Sequence, residues 1–287
     1  MFCFWEKKMR RSKRQMSATF VMIMTFATPL AAAELSVEPR LAAGASYYNL
    51  DIDGAVVVGD DSVDNVEFSD FLYLVGGGLT LSKDRFFIDF YGQYSFDGED
   101  ELDLDAVVGG VEANNVVQDV EFDRFETALT VGYRITDQFA AFIGFRYADV
   151  DFDGSGSLGA VSVDLSTELN QKGPFFGVGY VVPTTIFNGA FVGNAAVAYL
   201  DGDLDNEIES SALSNDASFD VDGTAIGFNV GASWVTPLSD QLKLVVGADV
   251  AQYRFKDDDD ETDFDELITR IRTELRYTFD VGSLGPN

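Results

Sequence analysis

The sequence predicts an all-β chain folded as a transmembrane, antiparallel, up-and-down β-barrel of ten strands, with eight or twelve strands as the alternatives. Three observations predict it. Apolar residues alternate with period two through four successive hairpins, connections are short on one side of those hairpins and long on the other, and aromatic residues gather at the stripe ends. Strict alternation is a strand signature, and it is clearest from Phe122 to Tyr147. Phe125, Thr127, Leu129, Val131, Tyr133 and Ile135 share one face, Thr136-Asp137-Gln138 interrupt, and Phe139, Ala141, Ile143, Phe145 and Tyr147 resume it. The opposite face mixes glycine with charge. A soluble sandwich would bury the apolar face in a core, whereas a membrane barrel turns it to lipid and keeps a polar lumen.

The chain opens with six basic residues between Lys7 and Arg14, an apolar run from Ala18 to Phe26, and Ala31-Ala32-Ala33 ahead of Glu34. That order is expected of a secretory signal peptide, residues 1–33, preceding a barrel domain at residues 34–287. The apolar run is shorter than the ~20 residues of a membrane helix. The single cysteine, Cys3, falls in this leader, and the chain has no histidine. Disulfides, thiolate ligands and imidazole chemistry are therefore not expected in the barrel. The whole chain has 19 Lys and Arg against 49 Asp and Glu, a net charge of −30, and removing residues 1–33 takes it to −35. Such a surface repels phosphate, so nucleic acid is not an expected partner.

A lone first strand carries Leu41, Ala43, Ala45 and Tyr47. The first hairpin presents Phe71, Tyr73, Val75, Leu79 and Leu81, then Phe86, Ile88, Phe90 and Tyr94. The Phe122–Tyr147 hairpin follows. A third runs through Phe176, Val178, Tyr180 and Val182, turns at Pro183-Thr184-Thr185, and returns through Phe191, Ala195, Val197 and Tyr199. The fourth pairs Ile226, Phe228, Val230, Ala232 and Trp234 with Leu242, Leu244, Val246, Ala248 and Val250, and a last strand carries Leu267, Ile271, Leu275, Tyr277 and Phe279. Between hairpins, residues 51–69, 97–119, 151–168 and 201–222 read as long acidic loops, and residues 256–262 as a short one. Short turns at one end, long loops at the other and interfacial aromatics are the outer-membrane arrangement.

These stripes, with the aromatic end Leu275-Arg276-Tyr277-Thr278-Phe279, resemble a bacterial outer-membrane β-barrel protein of the broad porin and opacity-protein type. The resemblance implies location in the bacterial outer membrane, contact with its lipid and lipopolysaccharide, and an assembly machinery that reads the last strand. It departs from the family pattern where Asp280 to Asn287 follow Phe279. The function expected is a small porin-like channel for small solutes. The alternative is a non-conducting structural or adhesive surface barrel with cation-bridged acidic loops. Omptin-type proteases are also ten-stranded barrels, but their chemistry pairs Asp with His. With no histidine present, no enzyme is expected.

Parity assigns the lumen. Arg40, Arg85, Asp89, Arg124, Glu126, Arg134, Arg146, Asp249, Arg270, Arg272, Glu274 and Arg276 fall on the inward face, and Glu38 shares it. Eight arginines against five acids leave a positive surplus in this count. Buried guanidiniums and carboxylates require partners, so a cross-strand ion-pair network is expected, with inward glycines making room for the arginines. Phe87, Phe142 and Phe175 share the inward face and would narrow the passage. No resident cofactor is expected. Weak Ca²⁺ or Mg²⁺ binding is considered at three tips with alternating acids: Asp51 and Asp53; Asp149, Asp151 and Asp153; and Asp201, Asp203 and Asp205. Each resembles the first half of an EF-hand loop without its closing glutamate.

Overall fold

Each stripe forms a strand because its alternation can satisfy two environments at once, and the strands then have to close. A computed structural model describes residues 35–58, 61–96, 100–108, 111–114, 117–158, 161–210, 217–257 and 263–280. The leader expected at residues 1–33 lies outside them.

The strands are β1 (Leu35–Val58), β2 (Asp61–Lys83), β3 (Phe86–Phe96), β4 (Asp100–Val108), β5 (Val111–Asn114), β6 (Val117–Arg134) and β7 (Phe139–Leu158). They continue as β8 (Val161–Pro183), β9 (Ala190–Ser210), β10 (Ala217–Pro237), β11 (Leu242–Asp257), β12 (Asp263–Tyr277) and β13 (Phe279–Asp280). Every pairing is antiparallel, and β1 bonds to both β2 and β12, which closes the sheet. Among the described residues, closure pairs each of the ten staves on both sides, the condition for a sheet to survive in hydrocarbon. Ten staves make the wall. β4 pairs with the upper part of β2 and with β6, so it prolongs the line of β3, and β5 folds back onto it. β13 likewise prolongs β12 and pairs Phe279 with Val37.

The apolar stripes face outward. Leu41 is 73% exposed and Phe71 70%. On β7 the outward run from Phe139 to Tyr147 corresponds to about 30 Å of extended chain. At a typical strand tilt this matches an apolar band ~25 Å tall. Aromatic pairs stand at both ends of the band. Tyr47 and Phe71 meet at 5.2 Å between ring centroids, and Phe86 and Tyr133 at 4.8 Å.

Two expectations need correction. Much of the acidic sequence read as long loops is strand: β1 continues to Val58 before β2 starts at Asp61, and β7 continues to Leu158 before β8 starts at Val161. The physical reason lies on the inward parity: within the same stretches Phe152 and Leu204 are buried, continuing the buried Leu50, Val150, Leu169 and Leu200 that flank them. Alternation of acids with apolar residues keeps these segments extended beyond the lipid band. The second correction concerns the lumen, which is not polar throughout. Toward the extended end it is filled by an apolar core that includes Tyr48, Phe122, Phe152, Phe255 and Phe264. Phe122 packs edge-on against Phe152 at 4.7 Å, and Phe255 stacks on Phe264 at 4.2 Å.

Candidate functional site

The inward parity of β6, β7, β11 and β12 carries charge just below the apolar core. Arg124 on β6 bonds to Glu266 on β12, and Gln171 on β8 donates to the other Glu266 oxygen at 3.1 Å. Glu126 receives three arginines: Arg270 at 3.0 Å, Arg146 at 3.3 Å and Arg124 at 3.7 Å. Arg270 also pairs with Asp249 at 2.8 Å. The Arg146 guanidinium lies 4.3 Å from the centroid of the Tyr253 ring. Arg124 is 2% exposed and Glu266 fully buried, while Glu126, Arg146 and Arg270 face the cavity below. Such buried charges hold only while each retains its partners.

Toward the short turns the lumen opens into a cavity of about 710 Å³. Arg40 grips Asp89 through both Nη atoms at 2.8 and 2.7 Å. Arg272 and Arg276 share Glu274, at 3.1 and 2.6 Å, and Lys243 pairs with Glu38 at 2.5 Å. Arg40, Asp89, Arg272, Glu274 and Arg276 line this cavity. Arg134 sits at the mouth, exposed, donating to the Asp84 carbonyl at 3.3 Å. Arg85 departs from the inward assignment: it lies between β2 and β3, exposed, and donates to the Ile135 carbonyl.

The positive surplus is smaller than parity suggested. Lys243 adds an inward cation, but Glu266 and Asp70 add two buried carboxylates, and Arg85 leaves the lumen. Glu266 was legible, since it shares parity with Arg270 and Arg272; its place in an acidic run concealed it. The glycines make room chiefly for rings: a Cβ on Gly132 would lie 2.0 Å from Phe87, and one on Gly177 would lie 2.4 Å from Phe142. Phe142 and Phe175 meet edge-on at 6.3 Å on one wall of the cavity.

Above the lipid band the outward parity becomes acidic. Asp149 and Asp151 on β7 stand beside Glu168 on β8, with carboxylate oxygens mutually within 4.8 Å. Asp151 is in register with both Asp123 and Glu168. Burial, then Asp149 and Glu168, pushes the Asp151 carboxyl up to about 6. Burial and Glu168 raise Asp149 as well. Tyr147 donates to Asn170 at 2.8 Å and Asn170 to Glu168 at 2.9 Å, tying the cluster to the aromatic girdle. Of the residues expected to hold a cation, only Asp149 and Asp151 join this group; Asp153 stands one step further along the strand. Glu168, which sequence spacing did not single out, completes it by register. Asp51 and Asp53 lie on β1 opposite Asp265 and Asp263, and Asp201, Asp203 and Asp205 lie on β9, where Lys172 pairs with Asp203 at 3.7 Å. Among the described residues, these tips do not gather three carboxylates as Asp149, Asp151 and Glu168 do.

No family model matches the sequence, and no curated protein matches it. Solved structures do match. The outer membrane protease OmpT from Escherichia coli superposes with a TM-score of 0.61 at 10% identity, covering 88% of this chain and 99% of that one. The translocator domain of the autotransporter NalP from Neisseria meningitidis gives 0.45 at 13% identity, covering 88% and 90%. The Pseudomonas putida toluene transporter TodX gives 0.35 at 7%, covering 86% and 90%. The fold is that of an outer-membrane β-barrel.

This overturns one expectation. The sequence reading set enzymes aside, yet the OmpT structure, matched over almost its whole length, is that of a protease. The absence of histidine removes imidazole chemistry alone, so it cannot exclude an enzyme from this architecture. At 10% identity the likeness concerns the fold.

Proposed function

We propose that this chain is a bacterial outer-membrane surface barrel whose lumen is filled at rest, and whose working surface is the outward acidic collar. The observation that carries the reading is the charged layer around Glu126, capped by the apolar core. Both lie between the turn-end cavity and the extended end, and the side chains named above are buried within them. In this reading the collar meets the anionic headgroup region of lipopolysaccharide. Ca²⁺ or Mg²⁺, hard cations that favour carboxylate oxygens, bridges the two at Asp149, Asp151 and Glu168. The assembly machinery acts on the closing strand that ends at Tyr277 and Phe279.

Recording in planar lipid bilayers tests it. Purified protein is expected to give no discrete conductance steps. Regular steps from the unmodified chain would overturn the filled-lumen reading in favour of a small-solute channel. The observation favouring that second reading is the cavity, which already occupies the turn half of the lumen.

A further inference from the structure

The turn-end cavity is divided into two unlike walls by the order of the strands. β11, β12, β1, β2 and β3 are contiguous in the sheet, and they bring Lys243, Arg272, Arg276 and Arg40 to one side. β7, β8 and β9 are contiguous as well, and they bring Phe142, Phe175, Val181 and Val192 to the other. We propose that this cavity binds a small amphipathic anion, an aryl carboxylate, with its ring on the aromatic wall and its carboxylate on the basic one.

The basic wall retains capacity for a further anion. Arg272, Arg276 and Lys243 have side chains 31%, 26% and 38% exposed. They share Glu38 and Glu274, while the third carboxylate within reach, Asp249, already serves Arg270. Tyr91 Oη and Arg40 Nε are buried with no hydrogen-bond partner among the described residues. The guanidiniums of Arg40 and Arg272 lie 4.8 and 5.6 Å from the Tyr91 ring. A carboxylate there gains charge-assisted hydrogen bonds that a neutral group of the same shape does not.

The aromatic wall has room. A Cβ placed on Gly179 meets only the Gly193 carbonyl oxygen, at 3.8 Å, in contrast to Gly132 and Gly177, whose inward space is already filled by rings. A volume of about 710 Å³ suits a ligand of one ring and a short acid tail, within the ~300–1,000 Å³ of ordinary small-molecule sites. Entry from the turn end alone rests on the filled-lumen reading; the two-walled site does not.

The test uses the full barrel in lipid nanodiscs, with empty nanodiscs as blank, and ¹⁹F NMR of 3-(4-fluorophenyl)propionate against its neutral amide. The carboxylate is expected to show saturable broadening, with the amide about tenfold weaker. Gly179→Leu should weaken carboxylate binding by filling the aromatic wall, and Arg272→Gln should remove the preference for carboxylate over amide. Lys243→Gln replaces Arg272→Gln if heat-modifiable gel mobility shows the latter unfolded. Equal binding of acid and amide, no effect of Gly179→Leu in folded protein, or a signal no larger than the blank would each overturn the proposal. Conductance is a separate readout: channel steps alongside acid-selective binding would sink the filled-lumen reading and leave this site standing.

Discussion

Arg270 on β12 donates to the Glu126 carboxylate on β6 at 3.0 Å, across the lumen, with β1, β2 and β3 lying between their strands in the wall. Arg124 and Glu266 join the same two strands in the opposite sense. Two reciprocal pairs thus cross-brace the closed sheet, alongside the Gln171–Glu266 bond and the apolar core.

Glu126 is the shared partner in this brace: neutralising it takes from Arg146 its carboxylate among the described residues, and from Arg124 and Arg270 one of two, since Arg124 keeps Glu266 and Arg270 keeps Asp249. Glu126→Gln is expected to destabilise the barrel by ~3–5 kcal/mol, the usual cost of leaving a buried charge uncompensated. Glu126→Leu combined with Arg270→Leu should cost less than the two single changes added together. Urea unfolding in lipid vesicles, followed by the fluorescence of Trp234, measures both. Simple additivity would mean that the brace is not an energetic unit.

Orientation in the bilayer rests on adjacent residues of one strand. Val230 on β10 is 54% exposed, in register with Ala195 and Val250, whereas Asn229 points inward and donates to Asp249 at 3.2 Å. Val230→Arg should cost ~2–4 kcal/mol near the bilayer midplane, and Asn229→Arg less. Gel mobility before and after heating scores assembly of each. Equal loss at both positions would contradict the outward stripe.

The collar makes a prediction about pH. The folded Asp151 carboxyl is raised to about 6, above its ordinary 3.8. Between those values the folded state holds the proton more tightly than the unfolded chain, so stability falls as pH rises through that window. A divalent cation relieves the repulsion among Asp149, Asp151 and Glu168 once they are ionised. Ca²⁺ should therefore raise the melting temperature at pH 8 and have little effect at pH 4.5, and Asp151→Asn should reduce the pH 8 response. A Ca²⁺ effect equal at both pH values would remove the collar as its source.

Two glycines on the inward face should respond differently to alanine. A Cβ on Gly44 would lie 2.1 Å from the Ile271 carbonyl oxygen and 2.8 Å from the Arg272 Cα, so the β1–β12 seam would have to spread. Gly44→Ala is expected to cost ~1–3 kcal/mol, as overpacking does, and Gly179→Ala close to nothing. The same urea titration distinguishes them.

Much of this architecture was legible because strand parity is a local property. Phe125 to Ile135 and Ile226 to Trp234 announce an outward face from their own spacing, and that face is where the fold puts it. The ion pairs were half legible: parity placed Glu126 and Arg270 inward, but not opposite one another, because contact across a lumen depends on how the sheet closes. Glu168 was missed for a similar reason, since its approach to Asp149 and Asp151 follows from the β7–β8 register. The acidic stretches misled most. Their charge suggested loops, while buried alternates within them, Phe152 and Leu204, commit them to strands.

The filled upper lumen also fixes how deep the molecule floats. On β7 the outward residues change from Ile143, Phe145 and Tyr147 to Asp149, Asp151 and Asp153, while the inward ones change from Gly144 and Arg146 to Val150 and Phe152. One parity is oily outside below this point, and the other is oily inside above it. Sinking the strand by one residue pair, ~6 Å of chain, would drown Asp149 in hydrocarbon, and raising it would leave Tyr147 in water. Each such strand carries its own waterline, and around the circumference they act as a keel that resists both bobbing and tilt.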